Sequence, residues 1–93
     1  MYRADTLYTM DSMRETITTL VAERNAGILA EDAFCTLIVS SAVSAAVFGD
    51  DELSETVSAV FTDDILEDGV AGRYTDAVMA AIDSFVAAMT AAT

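Results

Sequence analysis

Ninety-three residues carry sixteen acidic side chains against four arginines, with no lysine and no histidine, for a formal charge of −12. That field has the wrong sign for neutralising phosphates, so direct nucleic-acid binding is excluded, and a serine or cysteine nucleophile would lack its usual base. The length suits one domain, residues 1–93, with a single modest core, and seventeen alanines, four glycines and no proline favour helix interiors.

The opening MYRADTLYTMDSM is too polar for a secretory signal, which points to a cytoplasmic protein. A first helix is expected over residues 5–26. Met10, Met13, Ile17 and Leu20 share one face, and Arg24 extends that stripe to the C-terminal end, where a cation complements the helix dipole. Ser12 and Glu15 have capping-box spacing, so the firm helix is expected to start at Ser12, with Asp5–Asp11 as an extra turn. Gly27 suits a left-handed stop.

The second helix, about 30–48, contains sixteen consecutive uncharged residues, Ala33 to Phe48. It is the segment the others must cover. Phe34, Leu37, Ile38, Ser41, Ala45 and Phe48 follow one helical column, and Val39, Val43 and Val47 a second, which implies neighbours on more than one side. The run falls short of the ~20 apolar residues of a membrane span and includes four Ser or Thr, so no membrane is expected. Cys35, the single cysteine, lies within it as a small hydrophobe.

Asp50 or Asp51 caps a third helix ending near Thr62, with Leu53, Val57, Val60 and Phe61 inward. Thr62, Asp63 and Asp64 then begin a short turn through Ile65, Leu66 and Glu67 that Gly69 stops, and Val70, Ala71 and Gly72 look like the loosest connection. The last helix, from Arg73 or Thr75 to Ala91, carries Tyr74, Val78, Ile82, Phe85 and Met89 on one face, widened by Ala81 and Val86. The fold class is therefore all-α, a small bundle of about four helices around the central apolar helix. Its apolar surface exceeds what four short helices bury among themselves. A homodimer sharing a helix face would cover the surplus, with Tyr2, Tyr8, Met10 and Met13 as a candidate edge if they do not join the core.

Charge is uneven along the chain: six acids and three arginines in residues 1–49, ten acids and one arginine in residues 50–93. Eight acids lie between positions 50 and 68 with no base among them: Asp50, Asp51, Glu52, Glu55, Asp63, Asp64, Glu67 and Asp68. A calcium loop that puts Gly69 sixth would place Leu66 at the third ligand position and Thr75 at the twelfth, so that frame fails. Glu52 and Glu55 followed by Asp64 and Glu67 have the i, i+3 pairing with which helical nucleotide pyrophosphohydrolases hold Mg²⁺, but the gap between the pairs is short and no lysine serves the phosphate. No Gly-rich phosphate loop is present. No catalytic, cofactor or metal residue is therefore assigned.

The eight acids are read instead as a partner-binding face. Carboxylates on successive helix turns sit several ångströms apart, as phosphates do along a strand, so a rigid acidic face can occupy a basic protein groove that otherwise holds DNA or RNA. Small acidic phage inhibitors of defence enzymes use this device; the likeness is one of charge and size. The alternative is a structural or oligomerisation module whose acidity reflects solubility or salt adaptation, and a Mg²⁺-dependent hydrolase stands third.

Overall fold

The computed structural model describes residues 8–91, which form five helices: α1 (Met10–Asn25), α2 (Glu31–Phe48), α3 (Asp51–Val60), α4 (Asp63–Val70) and α5 (Asp76–Thr90). The all-α class and the central helix are as expected, since α2 touches all four others. The expected extra turn after α3 is a full helix, so the bundle has five members. Asp5, Tyr2 and the rest of the opening seven residues lie outside the described part.

α1 starts earlier than Ser12. Thr9 is the N-cap: its Oγ1 accepts from the Ser12 amide at 3.2 Å, and the Ser12 hydroxyl accepts from the Thr9 amide at 2.9 Å. Ser12 is thus the third residue of a capping box in which its hydroxyl replaces the commoner Glu or Gln. The turn after the helix is made at Gly27, which, lacking a Cβ, takes a φ of +77° at no steric cost. There the amide of Gly27 donates to the Arg24 carbonyl and that of Ile28 to Glu23, both at 3.0 Å, in a Schellman closure.

The connection expected to be loosest is built the same way. Gly72 has φ +82°, its amide donates to Gly69 and that of Arg73 to Asp68 at 3.1 and 2.8 Å. Gly69 therefore does not stop α4; it is buried inside the helix. A Cβ there would stand 3.2 Å from both γ-methyls of Val39, so glycine lets α4 approach α2.

The joint between α2 and α3 is tied to the start of the described chain. Tyr8 donates to the Phe48 carbonyl at 3.2 Å and accepts from the Asp50 amide at 2.9 Å, giving an isolated bridge rather than a strand. The Ser54 hydroxyl reaches the Ala45 and Gly49 carbonyls at 3.3 and 3.4 Å. The bonds to the Phe48 and Gly49 carbonyls satisfy acceptors that a helix end leaves without partners, whereas the Ala45 carbonyl also accepts from the Gly49 amide at 2.9 Å.

The core comprises Met13 and Ile17 of α1; Phe34, Cys35, Ile38, Val39, Ala42 and Ala45 of α2; Leu53, Val57 and Phe61; and Val78, Ala81, Ile82, Phe85 and Met89 of α5. Phe61 meets Phe85 edge to face with centroids 5.9 Å apart, an arrangement aromatic quadrupoles favour. The Arg24 guanidinium lies 4.2 Å from the centroid of Phe34, so the α1 stripe ends in a cation–π contact.

Several expected core positions differ. The six buried residues of α2 fall within an arc of about 140°, and outside it Leu37, Val47 and Phe48 are exposed while Val43 is half-buried. Tyr74 precedes α5 and is exposed, its hydroxyl 3.0 Å from Thr36 Oγ1. Met13 is core, and Met10 and Tyr8 pack against it, so they are not a free edge.

Candidate functional site

The eight acids divide by what they do locally. Asp50 is the N-cap of α3, its Oδ1 accepting from the Leu53 amide at 2.9 Å. Asp51 and Glu52 occupy the first turn of α3, and Asp63 and Asp64 the first turn of α4, whose N-cap is Thr62. Acids there meet the positive end of the helix dipole, worth ~0.3–1 kcal/mol each. Every helix of the bundle has an acid in its first turn, whereas only α1 has a base in its last. Much of the local excess thus arises because two short helices begin within nineteen residues.

Asp68 is neutralised. Its Oδ1 accepts from Arg73 Nε at 2.9 Å, a pair formed because the Schellman turn folds Arg73 back over α4. Both side chains are well solvated, so the pair contributes little stability.

Glu55 and Glu67 have no such local purpose. They sit on the second turns, at matching positions of α3 and α4. Counting from each N-cap, Asp51, Glu52 and Glu55 occupy the same three places as Asp63, Asp64 and Glu67. At ~100° per residue each trio lies within an arc of about 100°, opposite the buried Leu53 and Val57 in α3 and the inward Ile65, Leu66 and Gly69 in α4. All six carboxylates are exposed. Within each helix the first and last of the trio are about 6 Å apart along the axis.

The i, i+3 pairs Glu52–Glu55 and Asp64–Glu67 lie on separate helices and are not gathered: among the described residues no three Asp, Glu or Cys side chains stand where they could hold a metal ion. Burial pushes the Cys35 thiol above its ordinary range, and the Glu31 and Asp83 carboxylates push it further, outweighing Arg24. A thiol so held is protonated at neutral pH and a poor nucleophile.

α2 is long and apolar enough to cross a membrane by length and composition, yet its six buried residues are packed within the five-helix globule. The chain matches no protein-family model, no curated protein and no solved structure.

Proposed function

We propose that this protein is a non-catalytic binding module whose α3–α4 acids dock on a basic protein surface that also binds nucleic acid. The observation that supports this reading is the repeated outward trio, Asp51, Glu52, Glu55 and Asp63, Asp64, Glu67, on two consecutive rigid helices. Asp50 and Asp68 border the trios, but one is spent on a cap and the other on Arg73, so they add less to the outward field. Six exposed carboxylates held by rigid helices keep their charge without reorganisation, and complementary potentials of this kind govern the rate and selectivity of association. Excluding nucleic acid from the partner's groove would make the module an inhibitor.

The reading is tested by affinity capture from the source cell with the wild-type chain and with Asp63→Asn/Asp64→Asn/Glu67→Gln. A basic nucleic-acid-handling protein should be retained by the wild type alone at low salt. Added duplex or single-stranded nucleic acid should release it. Equal retention by the variant would refute the assignment of these residues.

A further inference from the structure

We infer that the uncovered face of α2 is the contact through which two copies of this chain pair, with the two α2 helices antiparallel. The shared helix face thus lies at the middle of α2 rather than at the chain start, where Met13 is in the core and Tyr8 and Met10 pack against it. Leu37, Val47 and Phe48 are 40%, 62% and 40% exposed, and Val70 and Tyr74 beside them 63% and 39%. One hollow of the surface joins Val70 and Tyr74 to Thr36, Ser40, Val43 and Ser44 of α2; another joins Leu37 to the same two serines. Leu37, Val70 and Tyr74 are therefore joined across the low ridge of Ser40 and Ser44, and Val47 and Phe48 follow Ser44 one helical turn on.

Two observations select a second copy as the occupant, and a third fixes how its pairing responds to salt. The first is area. With aromatic surfaces of roughly 150–250 Å² and those of leucine and valine towards or below the lower end, the five partly exposed side chains present on the order of 450 Å². A stable pair removes about 800 Å² from each partner, a little over half of it apolar. The second is spacing. Ala33, Leu37, Ser40, Ser44 and Val47 recur at intervals of 4, 3, 4 and 3, the seam of a helix pair crossing at about 20°. A two-fold axis near Ala42 sets Leu37 against the second copy's Val47 and Ser40 against its Ser44, large on large and small on small. The third is charge. From Ala33 to Gly49 the chain has no ionised group to select a charged partner, while acids crowd both ends of the seam: Glu31 and Asp32 before it, Asp50, Asp51 and Glu52 after it.

Antiparallel pairing brings those acids of the two copies towards each other. Pairing must therefore tighten as salt screens them, opposite to the salt response of docking on a basic surface. Of the eight acids only Asp50, Asp51 and Glu52 border the seam, and the docking variant changes none of these, so either idea can fail alone.

Sedimentation equilibrium up to about 0.5 mM chain, in about 0.05 and about 1 M NaCl, tests the inference. A monomer–dimer equilibrium at least about tenfold tighter at the higher salt is expected, and Val47→Glu and Leu37→Glu should each abolish it while leaving the helical circular dichroism intact. As a geometric check that does not depend on those variants, a Ser40→Cys chain mixed with a Ser44→Cys chain should oxidise to a mixed dimer faster than either chain alone to its own. A single monomer mass at both salts would overturn the proposal, and so would a dimer indifferent to both glutamates or the absence of preference in the mixed oxidation.

Discussion

Gly49 and Gly72 are glycine for different reasons. At Gly72 a side chain would meet nothing within 4 Å, and the constraint is the positive φ alone. Gly72→Ala should cost about 1–2 kcal/mol through backbone strain, read by urea unfolding, which leaves ionic strength unchanged. At Gly49 the backbone is extended, but an added Cβ would run into the Ala45 carbonyl and stand 2.9 Å from Leu53 Cδ2. Residue chemistry also sets a pH response at Cys35, whose folded thiol is raised chiefly by burial. Above about pH 8.5 the unfolded chain loses its thiol proton while the folded chain keeps it, so stability should fall with further increase in pH until the folded thiol ionises too. Cys35→Ser would remove that part of the alkaline loss, and a thiol reagent at pH 7 should react with the native chain only as fast as the core opens.

Among the elements, α5 is the one whose buried face is plainest in the sequence. Asp76, Asp83 and Ser84 supply polar positions against which Val78, Ile82, Phe85 and Met89 stand out, and all four are core. Burying such a side chain stabilises by ~1.5–3 kcal/mol, and a carboxylate in its place would also be desolvated. Ile82→Asp or Phe85→Asp should therefore abolish the cooperative thermal transition. α2 is harder to orient because it lacks a charged face: Leu37 and Ile38 look alike in periodicity, yet one is exposed and the other buried. The end of α4 is hidden for a related reason. Sequence does not separate a glycine that stops a helix from one that admits a neighbour, and Gly69 is the second kind because Val39 approaches it. Replacing it by a larger residue, Gly69→Leu, should cost about 1–3 kcal/mol by overpacking, whereas Val70→Ala on the exposed side should change the urea midpoint little. The acids themselves are legible as a run. Their division into cap, first-turn, paired and outward groups is not, because it depends on where α3 and α4 begin and on the turn that folds Arg73 onto Asp68.

At the scale of the whole molecule, the interior is neutral and the exterior strongly negative. No charged residue is buried among the described positions, so the charge of −12 acts on stability through mutual repulsion across the surface. Screening should raise the melting temperature, with 1 kcal/mol corresponding to about 4–8 °C for a domain of this size. The same charge, turned outward at matching places on α3 and α4, underlies the proposed docking. The most direct measurement is the affinity of the captured basic partner for the wild-type chain and for Asp63→Asn/Asp64→Asn/Glu67→Gln, across a salt series and with nucleic acid as competitor. The account predicts tight binding at low salt that falls steeply with added salt, yields to nucleic acid, and drops at least about tenfold in the variant, or ~1.4 kcal/mol. Salt-independent binding, or equal affinity of the variant and the wild type, would contradict it.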